Sequence, residues 1–359
     1  MDAAALRAQF PVLEHLVYLN AGTDGPVPAR AVAAAAAELE REAAEGRRTA
    51  HFERRWELSG ALRAAYAALL GAAPADVALT TSTSEGMGLA IAGLELTRGD
   101  EIVTSDEEHP GLLGPLQAAR DLRGVAIRVV PLADVADAVS PATRLVACSH
   151  VGWVSGSYAP LALAEVEVPV LLDGAQGVGA VPVDVGALGC DLYAGAGQKW
   201  LCGPDGTGML YVSPALRDRV GALVRSYGSF ADTAAGLDAP LQPDARRYDA
   251  SALSAEALAF ALASHSVLAE LGWGAVHDRA RSLATGLADR LRDAGRDIAT
   301  RGDTTLVSWS VADAAAVRDR LSAAGIALRD LPGRNLLRAS IGAWNDASDL
   351  DRLLEALDG

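Results

Sequence analysis

Residues 191–212, DLYAGAGQKWLCGPDGTGMLYV, contain Lys199, which is the only lysine in the chain. Arginine is used everywhere else, and a guanidinium stays protonated and cannot act as an amine nucleophile at ordinary pH. The apolar run 191–194 predicts a strand, and the small residues 195–197 allow the backbone to approach a ligand closely. A lone lysine in this setting indicates imine chemistry. The alternative, for this stretch alone, is that Lys199 has no functional role and remains by chance in a chain that is poor in lysine.

A second predicted strand end carries an acid. Asp173 closes the apolar run 168–172 within VPVLLDGAQGVG, 26 residues before Lys199. We therefore expect both side chains at the carboxyl ends of neighbouring parallel strands, where open α/β sheets bind ligands. Pyridoxal phosphate needs a carboxylate that keeps its pyridine nitrogen protonated and a lysine that holds its aldehyde as a Schiff base. The pair predicts that cofactor.

From DGAQ (173–176) through QKWLCGP (198–204), the chain resembles the class V aminotransferase and cysteine desulfurase family of fold-type I pyridoxal phosphate enzymes. The resemblance implies an α/β fold, with a large cofactor domain built on a mostly parallel sheet and a smaller α+β domain. It also implies pyridoxal 5'-phosphate as cofactor, an L-amino acid substrate and a homodimer. We expect the large domain at residues 15–253 and the small domain at 1–14 and 254–359.

The order of predicted elements agrees with this fold, because strands and helices alternate from residue 77 onward. Two helices come first and end at glycines, and residues 228–253 read as an ordered but irregular excursion. The predicted helices are 29–45, 52–70, 87–94, 111–123, 256–271, 276–294, 313–324 and 347–357, and the main predicted strands are 77–80, 101–104, 127–131, 145–149, 208–212, 306–310 and 335–340.

Composition and charge exclude several other functions. Half of the 359 residues are apolar and the net charge is −15, with no arginine run longer than two, which argues against a nucleic-acid partner. We expect no signal peptide or membrane span and a cytoplasmic location, since no basic start precedes an apolar run. The cysteines lack metal-ligand spacing, so we expect reduced thiols and no metal site; they are Cys148, Cys190 and Cys202.

A candidate phosphate site lies at residues 82–85, where the strand VALTT runs into a helix start. Free backbone N–H groups and the helix dipole favour an anion there. A capping box of Ser82 with Glu85, worth about 1 kcal/mol, explains the same residues without a ligand. The resemblance implies that this turn holds the cofactor phosphate, with Ser84 and Glu85 at matching positions. Gln198 stands where many relatives place a phosphate-contacting histidine.

Two further residues match positions that contact the cofactor ring. His109 lies in SDEEHPGLLG at a third predicted strand end, and a helix-capping or surface histidine is the ordinary explanation. The resemblance implies a ring that stacks on the pyridine face and moves protons. Gln176 matches a residue that donates a hydrogen bond to the phenolic oxygen of the cofactor.

Arg338 lies in NLLRASIG on a short apolar strand, an expensive place for a charge without a partner. It can clamp a carboxylate in bidentate fashion, or it can belong to an internal ion pair. The resemblance implies that it binds the substrate α-carboxylate. Asn20, at the matching amino-terminal strand, is expected near the same group.

Departures from the family narrow the expected activity. Cysteine desulfurases carry a nucleophilic cysteine on a small-domain loop, whereas no cysteine follows Cys202 here. Trp153, in SHVGWVSG, replaces the usual asparagine and, with EHPG, resembles the cystine and cysteine C–S lyases; simple packing is its alternative role. We expect β-elimination on cystine, cysteine or a cysteine conjugate, with transamination or epimerisation as in isopenicillin N epimerases as the alternative.

Overall fold

The computed structural model describes residues 1–358. Helices and strands are numbered separately along the chain. The helices are α1 (Ala3–Arg7), α2 (Ala29–Glu45), α3 (Thr49–Leu70), α4 (Thr83–Gly93), α5 (Pro110–Arg123), α6 (Ala255–Ala269), α7 (Trp273–Asp293), α8 (Ala314–Ala323) and α9 (Ala347–Asp358). The strands are β1 (Val17–Tyr18), β2 (Val77–Thr80), β3 (Glu101–Ser105), β4 (Ala126–Val130), β5 (Thr143–Ser149), β6 (Val170–Asp173), β7 (Leu192–Ala196), β8 (Gly208–Val212), β9 (Leu306–Ser310), β10 (Ile326–Ala327), β11 (Arg329–Asp330) and β12 (Leu336–Ser340).

A seven-stranded sheet in the order β2-β8-β7-β6-β5-β3-β4 forms the centre of the molecule. The strands from β7 to β4 are parallel to their neighbours, and β8 is antiparallel to both β7 and β2. The predicted α/β class with a mostly parallel sheet is therefore confirmed.

Both faces of this sheet are covered, because alternate strand residues point to opposite sides. Leu171 packs in a cluster with α4 and α5, whereas Leu172 packs in a cluster with α3 and α6. Strands buried on both faces read as continuous apolar runs, as the parallel arrangement requires. The carboxyl ends of β3, β5, β6 and β7 consequently open at one edge.

A smaller unit follows the irregular stretch, which contains only short 3-10 turns at Tyr227–Ser229, Thr233–Asp238 and Ala245–Tyr248. Strands β11, β12 and β9 form an antiparallel sheet, and β1 pairs in parallel with β10. The amino-terminal strand β1 thus joins the carboxy-terminal part of the chain. The domain boundaries stay a prediction.

Most predicted helix ends agree with the structure. Helices α2 and α3 end before Gly46 (φ 73°) and Gly71 (φ 65°), conformations that glycine adopts without strain. Helix α3 begins earlier than predicted, and its buried His51 lies 3.4 Å from the Glu42 carboxylate of α2. Helices α4 and α7 also begin four and three residues early. The early start of α4 has a local cause, because Ser82 Oγ caps the helix by accepting from Glu85 N.

No single helix within residues 1–358 has the length and apolarity to cross a membrane; α6 and α7 meet that criterion only as a pair, with a 75° bend between them.

Candidate active site

The site begins at the carboxyl ends of β6 and β7. Asp173, the last residue of β6, is 4% exposed and pairs in register with Ala194 of β7. Lys199 follows β7 in the next turn. Burial raises the pKa of Asp173, and the charge of Lys199 opposes this rise. The structure therefore brings the predicted acid and the predicted lysine to one crevice.

The Lys199 ammonium lies in an environment that favours a neutral amine. Burial lowers its pKa to about 8, and the nearby cations Arg338 and Arg329 act in the same direction, while Asp173 opposes them. An amine with a pKa this close to neutrality is a usable nucleophile and base.

Glycines around Lys199 allow other parts of the chain to pack closely. A Cβ at Gly197 would collide with the Thr207 hydroxyl, and one at Gly25 would collide with the Lys199 carbonyl. At these two glycines the close approach is to other parts of the chain, and an approach of residues 195–197 to a ligand stays a prediction. These contacts fix the turn, which Gly25 N also holds by donating to Gln198 O at 2.7 Å.

Gln176 is fixed at both ends of its amide. Its Nε2 donates to Gly22 O at 2.7 Å, and its Oε1 accepts from Trp200 Nε1 at 3.0 Å. One N–H of the amide is left for a further acceptor. That remaining donor is what the predicted contact to a phenolic oxygen requires.

His109 caps α5, which confirms the capping interpretation, and it lies near Lys199 and Trp153; its stacking on a cofactor ring stays a prediction. Its Nδ1 accepts from Gly111 N at 3.1 Å, which leaves Nε2 as the protonated nitrogen of the neutral ring. Burial lowers its pKa to about 4, followed in effect by Lys199, Arg329 and Arg338. Its ring contacts Trp153 edge-on, with centroids 5.1 Å apart.

Arg338 is fully buried on β12 and has no ion-pair partner in the part of the chain that the structure describes. Its Nη1 donates to Trp153 O at 2.7 Å, whereas Nε and Nη2 have no partner there. Burial and the charge of Arg329 lower its pKa to about 9. The internal ion pair is therefore excluded within residues 1–358, and two buried donors remain for an anion.

The backbone of Asn20 pairs with the end of β12, the strand that carries Arg338. It forms a bridge with Ser340, two residues beyond Arg338, and its Oδ1 accepts from Thr23 Oγ1 at 2.9 Å. A Cβ at Gly22 would come within 2.7 Å of Ser340 Oγ and 2.9 Å of both Arg338 Nη2 and Gln176 Oε1. Gly22 leaves the space into which these polar groups converge.

The predicted phosphate turn forms the start of α4, and its side chains serve mainly as caps. Ser82 Oγ accepts from Glu85 N at 3.1 Å, and the Glu85 carboxylate turns back to accept from the Thr81 hydroxyl at 3.0 Å. Ser84 is exposed and close to Gly111 of α5. Gln198 Oε1 is buried without a partner among the described residues. Their roles at a phosphate stay predictions.

Sequence reasoning missed Arg329. It pairs directly with Arg338 across the antiparallel ladder of β11 and β12, and its guanidinium lies 5.7 Å from the centre of the Trp153 ring. Its one hydrogen bond is a long 3.5 Å contact to Thr23 Oγ1. The sequence signal was the recurrence of arginine on either side of the turn LPGRN.

Sequence reasoning also missed two buried groups next to predicted ones. Glu108 precedes His109 and is bound to Ser149. His150 lies 3.1 Å from the Tyr193 hydroxyl, and burial lowers its pKa to about 4. Glu108 lies in SDEEHPGLLG and His150 lies in SHVGWVSG, so the proximity of these motifs to strand ends was the available signal.

Comparison with known proteins identifies the family. The model of the family "Aminotransferase class-V" matches residues 17–353. The chain belongs to this family. It is 30% identical to a probable cysteine desulfurase of Pseudomonas aeruginosa, covering 98% of this chain and 96% of the relative. It is 27% identical to the isopenicillin N epimerase of Streptomyces clavuligerus, covering 96% and 94%.

Among solved structures, the cystine C–S lyase C-DES in complex with cysteine persulfide superimposes with a TM-score of 0.91 at 26% identity, covering 97% of this chain and 99% of the other. A C-DES mutant with glycine covalently linked to its PLP cofactor gives 0.92 at 27%, covering 98% of each. Class V enzymes use pyridoxal 5'-phosphate, and the site fits it through an acid, an amine and unpartnered buried donors. The chain is a pyridoxal phosphate-dependent enzyme.

Proposed function

We propose that this enzyme is a carbon–sulfur lyase that eliminates the β-sulfur group of cystine, cysteine or a cysteine conjugate to give pyruvate, ammonia and a sulfur product. The observation that carries the proposal concerns the thiols. All three cysteines are buried and none follows Cys202. The leaving sulfur therefore has no protein thiol to accept it, and elimination needs none.

Arg338 would bind the substrate α-carboxylate. Its free Nε and Nη2 lie in a buried position, where a charge-assisted bidentate bond is strong. Arg329 adds a second cation on the facing strand, suited to a second carboxylate such as the one at the far end of cystine. Asn20 would complete this wall through its position beside Ser340.

Lys199 would serve as the base. When bound, pyridoxal phosphate supplies an electron sink for the charge that develops at Cα. Asp173 would hold the proton on the pyridine nitrogen, and the lowered pKa of Lys199 suits removal of the Cα proton near neutral pH. Neutral His109 and Trp153 would form the wall over the ring and limit water access.

The phosphate end would be formed by residues around α4. The helix start supplies backbone N–H groups, with Ser84 and Glu85 at the positions that the resemblance indicates, and Gln198 offers an amide that is not fixed by other described residues. We further propose that the enzyme is a homodimer. We also propose a cytoplasmic location, which is supported by three free thiols without a disulfide.

Epimerisation is the second candidate, and one observation favours it. The isopenicillin N epimerase relative aligns along nearly the whole chain. An epimerase needs two bases on opposite faces of Cα, and His109 with its lowered pKa is a possible partner for Lys199.

Product analysis tests the proposal. With L-cystine we expect pyruvate, ammonia and a persulfide in equal amounts, measured by mass spectrometry. Replacing Cys148, Cys190 and Cys202 together by alanine should leave turnover per folded holoenzyme nearly unchanged. Lys199→Arg is the matched inactive control, since it keeps the charge and removes the nucleophile.

Three outcomes would overturn the lyase assignment. Alanine with an enzyme-bound persulfide would indicate desulfuration. A keto acid with accumulating pyridoxamine phosphate would indicate transamination. Exchange of the Cα hydrogen with inversion and no elimination would indicate an epimerase.

A further inference from the structure

Glu108 is a buried carboxylate for which the proposed reaction has no use. Its side chain is 6% exposed, between the ends of β3 and β5. Oε1 accepts from Ser149 N at 2.9 Å and from the Ser105 hydroxyl, and Oε2 accepts from Ser149 Oγ at 2.7 Å. Within residues 1–358 no arginine or lysine is among the groups that shift its pKa. A charge held in this way by hydroxyls and one N–H is costly to bury.

The position of Glu108 links it to two residues of the site. Its partner Ser149 pairs in register with Asp173 on the next strand, and its chain neighbour is His109. The titratable groups around it are Asp173 on β6, Cys148 on β5, and Glu107 and His109, which flank it in its own turn. Burial raises the pKa of Glu108 to about 7, the two serines oppose this, and Asp173 adds to it. Glu108 in turn raises the pKa of Cys148.

We propose that Glu108 is a positioning residue with two effects. It ties the turn that carries His109 to β5, and the protonation state of its own carboxyl group is coupled to the charge on Asp173. The bonds to Ser149 hold the turn in place in either protonation state. Loss of the Glu108 proton adds a negative charge one strand away from Asp173. This charge favours retention of a proton at Asp173, or at a pyridine nitrogen that Asp173 would bind. This inference rests on the cofactor site and is independent of which substrate is cleaved.

The stability of the apoenzyme gives the first test, with Glu108→Gln, which keeps the size and an acceptor oxygen but removes the charge. The folded protein holds this proton more tightly than the unfolded chain. Stability from this group is therefore present below the ordinary glutamate range and is lost as pH rises to about 7. We expect the melting temperature of Glu108→Gln, relative to wild type, to rise between pH 5 and about pH 7 and to level off above that.

Glu107→Gln is the matched control. Glu107 is the preceding residue, is less buried, and accepts from Ser155 N at 3.0 Å. The melting temperature of Glu107→Gln should change with pH in the same way as that of wild type across this range. Parallel behaviour of Glu108→Gln would overturn the proton-holding role.

The second test follows cofactor binding rather than turnover. Apoenzyme is titrated with pyridoxal phosphate from pH 6 to pH 8, and binding is read from visible absorbance. The pH midpoint of cofactor binding should lie lower in Glu108→Gln than in wild type by about half a unit or more, because the charge that favours proton retention is gone. Glu108→Ala, which also loses the Ser149 bonds, should bind the cofactor more weakly at every pH. Midpoints that match wild type in both variants would reject the coupling. A failed lyase assay would not change either readout.

Discussion

Two arginines facing each other define the site at the scale of single residues. Arg329 and Arg338 are cross-strand partners, an arrangement that is destabilising for like charges unless an anion lies between them. Alongside burial, the charge of Arg329 lowers the pKa of Arg338, both arginines lower the pKa of Lys199, and within residues 1–358 neither arginine forms an ion pair with a carboxylate. The free enzyme therefore holds unneutralised positive charge where a substrate carboxylate would bind.

The first prediction concerns Arg338. Arg338→Ala removes a fully buried guanidinium whose free donors would bind the α-carboxylate, and loss of a buried charge pair costs about 2–5 kcal/mol. We expect kcat/KM to fall by roughly 30-fold or more, since each 1.4 kcal/mol is about tenfold. Steady-state kinetics on cystine measures this.

Arg334→Ala is the control for that experiment, because Arg334 is exposed in the same hairpin and donates only a long 3.4 Å bond to Asp106 O. Its kinetics should remain close to wild type. Equal losses in both variants would show that the hairpin fold, rather than the free guanidinium of Arg338, determines activity.

The proximity of Asp173 and Lys199 could be predicted because their signals are local: an acid ends an apolar run, and a solitary lysine follows a strand. The absence of a partner for Arg338 could not be predicted, since it depends on which acids of the whole chain lie nearby. Glu108 was overlooked for the same reason. Its significance comes from Ser149, which is 41 residues further along the chain.

At the scale of elements, the loop 150–157 joins the large sheet to the small unit. Ser308 Oγ donates to Val154 O at 2.5 Å, and Thr304 Oγ1 donates to Gly156 O at 2.8 Å. With the Arg338 bond to Trp153 O, these contacts set the place of the Trp153 ring opposite His109. The small unit therefore positions a wall of the crevice.

Gly156 tests this link. It has φ +79°, and a Cβ there would lie 2.9 Å from Thr304 Oγ1 and 3.1 Å from Leu306 Cβ. We expect Gly156→Ala to lower the free energy of unfolding by about 1–3 kcal/mol in urea titrations and to reduce activity, because the loop must move.

Gly295→Ala is matched in conformation, with φ +74° and open space around it. It should cost only about 1 kcal/mol, the backbone penalty alone, and leave kinetics unchanged. A Gly156 variant no less stable and no less active than the Gly295 variant would contradict the proposed role of the loop.

Long elements were predictable, whereas short ones were not. The strand at Gly208–Val212 and the helix at Ala29–Glu45 have the predicted bounds, since several apolar residues define each. Strands β10 and β11 have two residues each, too few for a periodic pattern. Arg329 lies on β11, so the site residue and its strand were missed together.

For the whole molecule, one exposed surface is unusually aromatic. Phe52 and Trp56 of α3 and Tyr227 of the irregular stretch form an aromatic patch and are 39%, 40% and 62% exposed. Ring centroids are 6.1 Å apart for Phe52 and Trp56 and 5.8 Å for Phe52 and Tyr227. Contiguous exposed apolar surface of this kind is typical of protein–protein interfaces.

The segment that carries Tyr227 is firmly anchored. Asp249 forms a buried ion pair with Arg63 of α3 at 2.6 Å and accepts from Leu79 N at 2.9 Å. Ser226 Oγ donates to Asp249 O at 2.6 Å. Removing one partner of such a pair typically costs about 3–5 kcal/mol, so the patch has a rigid base.

The last prediction is that the enzyme is a homodimer whose subunits meet at the aromatic patch. Burying three large rings supplies apolar area at little conformational cost, and the homodimer that the family resemblance implies supports a second copy as the occupant. Trp56→Asp should shift sedimentation from dimer to monomer, because it places an unpaired charge among the rings that the interface would bury. Leu161→Asp, at an isolated residue that is 83% exposed, is the control and should remain dimeric. An active wild-type monomer at assay concentration, or a Trp56→Asp protein that stays dimeric, would place the interface elsewhere or remove it.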